Sequence, residues 1–551
     1  MTVNNIAETL TRRAAEAPHA LAINFTTGYD PDGQAIYKEL SVGELNALCD
    51  RYAHALTRQG IARGERVLML VSPGIDLIAL VFALLKMGAV PVVIDPGIPR
   101  KSYLRCVQDT APTAFLGIPK AHLLLRLYPR AFKTVRHALV AGNRAMFGAP
   151  ALDSLLREGE PPFPTVDMAP SQETAVAFTS GSTGIPKGVV FQQEVFTAQM
   201  SLLRDEVGIQ PGEVDMPGLF TLSLFGPALN LAEVFPDINP TAPATLNPAH
   251  LVQTIQRKGV NNSFGSPTIW RLVADYCLPR GIKLPSFKRI LMAGAPVQPS
   301  LIEAYTRILE GGEVYTPYGA TEAMPLTMMS GSEILAETAA LSEQGHGMCV
   351  GRPVSNITMR IIKINDEVIP QWDDSLALPQ GEVGEITVKG PVVTRQYLNR
   401  PDQTALAKIY EGDAVWHRMG DLGYFDEKSR LWFCGRKSHR VETADGLLLP
   451  VPCEAIFNLH EDVFRSAVVG VGAKGAQIPV LVVEPMPGKF PRSVEARVKF
   501  SESLLSLGSQ HEQTRRIETI LYYPRSFPVD VRHNAKIERL QLRDWAAKRL
   551  S

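Results

Sequence analysis

Thr179-Ser-Gly-Ser-Thr-Gly-Ile-Pro-Lys-Gly188 follows directly on the apolar run Ala175-Val-Ala-Phe178 and leads into a second one, Val189-Val190-Phe191. Short apolar runs bounded by turn residues predict buried strands, so the loop hangs from a rigid edge. Gly181 and Gly184 let the backbone curl and its N–H groups converge, Thr179, Ser180, Ser182 and Thr183 add hydroxyls, and Lys187 adds positive charge. Such a constellation is a cradle for phosphate. A flexible linker is the competing reading, but linkers are rarely bracketed by strands. A Walker loop fits only in part, because Pro186 stands where its second glycine would be and Gly188 where its Mg²⁺-binding hydroxyl would be. The stretch predicts a nucleotide-phosphate loop of another kind.

Upstream, Ser41-Val-Gly-Glu44 has the capping-box pattern, and Val42, Leu45, Cys49, Tyr52 and Leu56 follow at helical spacing. Arg66-Val-Leu-Met-Leu-Val71 predicts a strand, residues 76–87 an apolar helix, and Val90-Pro-Val-Val-Ile94 a second strand. Strand, helix and strand with continuously apolar strands make a βαβ crossover, hence a parallel sheet covered on both faces. In residues 120–140, Leu123, Leu124, Leu127, Ala131 and Phe132 alternate with Lys120, Arg126, Arg130, Lys133 and Arg136. The commoner meaning is the basic solvated face of a surface helix, and the rarer one a lipid or acidic-partner contact. A Pro-rich connector, residues 161–170, delivers the chain to the loop.

Downstream, residues 193–207 predict a helix. Two apolar, Gly-containing segments, residues 217–229 and 264–270, are candidate walls of a pocket for an apolar substrate, with Leu219, Phe220, Leu224, Phe225, Phe264 and Trp270 as the side chains. Ala293-Gly-Ala-Pro296 at a strand end lets a flat ring approach the backbone, and Tyr318 offers an aromatic face. In Tyr318-Gly-Ala-Thr-Glu322, Thr321 could bond a phosphate oxygen and Glu322 could hold Mg²⁺. Asp421, between Gly420 and Gly423, suits the two hydroxyls of a ribose. After Gly435-Arg-Lys-Ser438 the pattern changes to a small α+β unit, with strands near 466–469, 479–483 and 517–523, a helix over 491–507, and Lys536 in a late polar loop.

The bounds agree. A chain of 551 residues exceeds one core. Its 56 basic and 56 acidic side chains cancel, so no overall field favours nucleic acid. Six cysteines scattered singly argue against a zinc site or a disulfide framework and for a reducing compartment. The N-terminus lacks the signature of a signal peptide, and the longest apolar run, residues 77–85, is too short to span a bilayer. The expectation is a cytoplasmic chain without a transmembrane segment.

The order of these motifs resembles the adenylate-forming superfamily of acyl-CoA synthetases, peptide-synthetase adenylation domains and luciferases, across nearly the whole length. The resemblance implies an α/β fold: a large N-terminal domain of stacked βαβ-type sheets with a β-rich subdomain, residues 1–437, and a small mobile α+β lid, residues 438–551. It implies ATP and Mg²⁺. Thr179, Ser180, Gly181, Ser182, Thr183, Gly184 and Lys187 would take the phosphates. Gly294, Ala295, Pro296, Tyr318, Gly319, Asp421 and Arg436 would take adenine and ribose. Thr321, Glu322 and Lys536 would be catalytic, with Glu322 also on the metal and Ser438 at the hinge.

The chain departs from the common pattern at Ser438, where an Asp or Lys is usual, at Asn534-Ala-Lys536, where Ser-Gly-Lys is usual, and at Thr221, where many coenzyme A ligases place a histidine. The tail Phe527-Pro-Val-Asp-Val-Arg-His-Asn-Ala-Lys536 looks most like the β-lactone synthetases of bacterial long-chain olefin biosynthesis. The expected reaction is then activation of a 2-alkyl-3-hydroxyalkanoic acid followed by ring closure, with association with other olefin-pathway enzymes. A medium- or long-chain fatty acyl-CoA ligase and a non-catalytic nucleotide-binding protein are the alternatives. His346, His417 and His533 offer no basis in sequence for choosing a base.

Overall fold

The computed structural model describes residues 4–95, 97–178, 186–218, 223–239, 245–529 and 536–550. Two mainly parallel sheets and one antiparallel sheet make up the large N-terminal domain, and a three-stranded sheet carries the smaller C-terminal one. The first sheet has the order His137–Val140, Ala114–Gly117, Arg66–Leu70, Val90–Val93, Glu173–Phe178 and Gly188–Gln192, parallel except for the last pair. The predicted βαβ unit is here: Ile75–Met87 crosses between two strands that pair in parallel. Its helix is apolar on nearly every side because it lies between sheets, with Leu80, Phe82, Ala83 and Leu84 fully buried.

Helix Val42–Arg58 begins where the capping box places it. The Ser41 hydroxyl accepts from the Glu44 N–H, and the Glu44 carboxylate accepts from the Ser41 N–H. The second sheet runs Glu313–Tyr315, Arg289–Met292, Asn262–Gly265, Val214–Pro217, Ala232–Phe235, Leu21–Tyr29 and Ala35–Ser41. One large core cluster joins the facing helices and sheets, and includes Leu56, Phe82, Phe196, Phe225, Phe235 and Leu291. The antiparallel sheet, with Tyr318–Ala320, Ala323–Met328, Ala414–Phe425 and Leu431–Arg436 among its strands, shares a core cluster with the second sheet through Cys349 and Trp432.

Residues 120–140 depart from the expected surface helix. The helix covers only His122–Leu127, because Pro129 cannot continue it, and the chain turns before strand His137–Val140. Beyond Arg436, strands Val463–Val471, Ile478–Pro485 and Thr519–Tyr522 and helix Val494–Ser509 match the expected α+β pattern. Asp366, between two strands of the antiparallel sheet, pairs with both Arg440 and Lys474 of the C-terminal part. All six cysteines are buried without disulfides, and burial pushes their thiols up to about 11 or 12. Among the described residues no helix is long and apolar enough to cross a membrane.

Candidate active site

Asp421 and Arg436 are register partners in adjacent strands, and Tyr318 reaches them from a hairpin of the same sheet, across strand Met348–Pro353. Arg436 Nη1 stands 2.9 Å from Asp421 Oδ1 and also donates to the Met419 carbonyl at 3.1 Å. The Tyr318 hydroxyl donates to Asp421 Oδ2 at 2.7 Å. Oδ1 therefore has an ionic neighbour but no aligned hydrogen-bond donor, although it is buried. A buried acceptor in this state fits a ribose hydroxyl.

Burial pushes the Asp421 carboxyl up, and Arg436, the Tyr318 hydroxyl and Lys536 pull it back. Lys536, in the C-terminal domain, thus lies within electrostatic reach of the carboxylate at the centre of the site. Asp421 in turn raises Arg436, against the effect of burial.

Tyr318–Ala320 turns back into Ala323–Met328 through Thr321 and Glu322. A Cβ on Gly319 would lie 2.8 Å from the Ala323 carbonyl oxygen, so the hairpin closes this tightly only around glycine. Glu322 is 9% exposed, and its Oε1 accepts from the Tyr397 hydroxyl at 2.7 Å. Lys187 Nζ sits 4.3 Å from the centroid of the Tyr397 ring. Burial lowers the Lys187 ammonium, while Glu322 counters with attraction. Lys187 and Glu322 accordingly share one pocket, with Tyr397 between them.

Beneath this pair is a brace that the sequence motifs do not reveal. Thr394 donates both its N–H, at 2.9 Å, and its hydroxyl, at 3.0 Å, to the Glu322 carbonyl. Lys408, 1% exposed, donates its ammonium to the Thr394 carbonyl. Burial lowers Lys408 to about 7, with Glu322 attracting and Lys187 repelling it. The same segment holds strand Gly188–Gln192: the Leu398 N–H bonds the Gly188 carbonyl at 2.8 Å. A lysine among the apolar neighbours Ala405-Leu-Ala-Lys-Ile409 was the available signal. His417, paired across the ladder with Lys408, is buried and held well below its ordinary pKa by burial, and its Nδ1–H donates to the Ala407 carbonyl. It is a neutral structural imidazole. His346 is exposed beside Trp432.

The other expected site residues are distributed as follows. Gly294 follows strand Arg289–Met292 with φ of 90°, a conformation natural to glycine, and Ala295 and Pro296 come next. Phe225, Leu224 and Phe264 pack on the large core cluster, Phe225 within 6.4 Å of the Phe196 ring. Trp270 instead belongs to a separate cluster with Phe287 and Tyr305, at 5.7 and 5.9 Å between ring centroids. Ser438 is exposed in the single turn Lys437–His439. Lys437 before it is tied to Glu385 at 2.9 Å. Thr179, Ser180, Gly181, Ser182, Thr183, Gly184, Leu219, Phe220 and His533 lie outside the described residues. Among the described residues no cluster of three His, Cys, Asp or Glu side chains forms a metal cage. One carboxylate together with phosphate oxygens is how Mg²⁺ is ordinarily held, so Glu322 fits that ion.

The chain is 44% identical to the olefin beta-lactone synthetase of Xanthomonas campestris pv. campestris, covering 99% of this chain and 98% of that one. It is 42% identical, over the same shares, to the olefin beta-lactone synthetase of Stenotrophomonas maltophilia. Its fold matches that of ATP-bound MatB from Rhodopseudomonas palustris with a TM-score of 0.79 over the whole of both chains, at 20% identity. The profile described as AMP-binding enzyme matches residues 10–398. With that profile spanning more than half of the chain and relatives this similar over nearly all of it, the chain belongs to the AMP-binding enzyme family.

Proposed function

We propose that the chain activates a 2-alkyl-3-hydroxyalkanoic acid with ATP and closes it to a β-lactone. The observation that carries this reading is the 44% identity to a β-lactone synthetase spread over 99% of the chain. In the first step a carboxylate oxygen of the acid bonds to the α-phosphorus, the α–β phosphoanhydride bond breaks, and pyrophosphate leaves. In the second, the 3-hydroxyl oxygen bonds to the activated carbonyl carbon, the acyl–phosphate C–O bond breaks, and AMP leaves as the hydroxyl proton is released. The nucleophile is already part of the substrate, which gives the ring closure the advantage of proximity.

Asp421 and Tyr318 would orient the ribose, and Arg436 would hold Asp421 ionised despite its burial. Lys187 and Lys536 would bring positive charge to the phosphates, where charge develops in the first step. Mg²⁺ on Glu322 would supply Lewis-acid stabilisation of phosphate oxygens. Residues 438–551 would act as a lid turning about Ser438. Association with enzymes that make or consume the same oily intermediates fits this reading.

The test is incubation with ATP, Mg²⁺ and a synthetic 2-alkyl-3-hydroxy acid, with and without coenzyme A, with products identified by NMR and mass spectrometry. Lactone, AMP and pyrophosphate formed without coenzyme A are expected. A thioester formed only with coenzyme A, with no lactone, would identify a fatty acyl-CoA ligase instead.

A further inference from the structure

Between Asp109 and Asp153 the chain contains no acidic residue, while it carries six lysines and arginines: Lys120, Arg126, Arg130, Lys133, Arg136 and Arg144. In a chain of zero net charge this is a strong local asymmetry. Among the described residues Arg136 pairs with Glu65, and the other five make no ion pair. The same stretch exposes three large apolar side chains, Leu123 at 45%, Leu127 at 66% and Phe147 at 50%. They are not scattered. Leu123, Arg126 and Leu127 share one face of helix His122–Leu127, Arg130 stands in the turn that follows it, and the Arg126 guanidinium lies 4.8 Å from the Phe147 ring.

Two cavities open in this region. One, of about 420 Å³, is lined by Arg126, Arg136, His137 and Phe147 among others, and the second, of about 190 Å³, by Arg130 and Lys133 among others. The larger hollow brings Arg126 and Arg136 together with Phe147, a combination that suits a ligand with an anionic head and an apolar body. An acidic protein surface would satisfy the arginines and lysines but would not require three exposed apolar side chains at the rim.

We propose that this face, built on helix His122–Leu127 and the turns that follow it, is a docking surface for an anionic phospholipid bilayer. Arg126, Arg130 and Lys133 would lie against phosphate headgroups, and Leu123, Leu127 and Phe147 would enter the interfacial layer. Few apolar side chains are committed, so binding would be reversible and dependent on anionic lipid. It would be a property of the N-terminal domain, independent of the reaction catalysed.

The experiment is co-sedimentation of the full chain with vesicles of phosphatidylcholine alone and of phosphatidylcholine mixed with phosphatidylglycerol, at low and physiological salt. Binding to the mixed vesicles that weakens with salt is expected. Replacing Arg126, Arg130 and Lys133 together by alanine should lower it on the order of 10²-fold, at several-fold per cationic side chain. Leu127→Ser with Phe147→Ser should lower it about tenfold at unchanged charge. Circular dichroism and thermal melting of each variant should match the parent, since every altered side chain is exposed.

Absence of binding to the mixed vesicles would overturn the proposal. So would binding that the cationic triple variant retains in full. Equal binding by the parent and the Leu127/Phe147 variant, together with salt-sensitive capture on immobilised polyglutamate, would overturn it in favour of an acidic protein partner.

Discussion

At the scale of single residues, the site is a set of buried ionisable groups, each set against a neighbour of opposite charge or a hydrogen-bond partner. Burial pushes the Asp421 carboxyl up, and Arg436 is the largest of the influences that pull it back. Lys536 adds to that attraction from the other domain, and in the proposed reaction it would turn to the α-phosphate. Lys536→Ala should therefore cut pyrophosphate release about 10²- to 10³-fold, the usual cost of one lost electrostatic donor, while ATP binding measured by calorimetry persists. A variant releasing pyrophosphate at the parent rate would remove Lys536 from the mechanism. Tyr397 acts through Glu322, whose Oε1 it holds at 2.7 Å. Tyr397→Phe keeps the ring under Lys187 and deletes only the hydroxyl, so if Glu322 holds Mg²⁺ as proposed, the Mg²⁺ concentration needed for half-maximal activity should rise about tenfold, the cost of losing a group that orients a metal ligand. An unchanged Mg²⁺ dependence would show that Glu322 needs no such support.

At the scale of elements, local patterns were legible in the sequence and long-range ones were not. The capping box at Ser41 and Glu44 and the βαβ unit around helix Ile75–Met87 could be read because their causes lie within a few residues. The resemblance grouped Tyr318, Asp421 and Arg436 in one expected site, and the structure brings these three side chains into contact. The brace under Glu322 could not. Thr394 meets Glu322 across 72 positions, and nothing in its immediate sequence announces the contact. Thr394→Val should lower stability by ~1 kcal/mol for the lost hydroxyl bond, and it should slow pyrophosphate release as Glu322 loosens.

Another element-level device is Glu213, at the entry to strand Val214–Pro217. Burial would raise its carboxyl, but Lys288, Asn262 and Arg289 together hold it at about 2. A carboxyl depressed in the folded state adds stability that is present above the unfolded value near 4.5 and is lost as pH falls towards about 2. Glu213→Gln should thus cost ~2 kcal/mol in denaturant unfolding at pH 7, and the two curves should converge across that acid window. A constant difference at every pH would assign the loss to packing.

At the scale of the whole molecule, the two domains meet through both ion pairs and apolar packing. Asp366 grips Arg440 and Lys474, and Lys437 is tied to Glu385, so the chain on either side of Ser438 is anchored to the antiparallel sheet. If the C-terminal domain turns about Ser438, the Asp366 contacts belong to one orientation. Asp366→Asn should then depopulate that orientation, seen as faster proteolysis between the domains and as a larger radius of gyration in X-ray scattering. Scattering curves that superpose would mean that apolar contacts, such as Ile456 against Gly345, hold the domains instead.

The six buried cysteines lend the molecule a built-in clock. They are spread from Cys49 to Cys453, and each thiol is protonated and out of reach in the folded chain. An aromatic disulfide reagent in the surrounding solution would react only when a region opens. The order in which the six positions become labelled, followed by peptide mass mapping, would report which part of the chain opens first without any engineered probe.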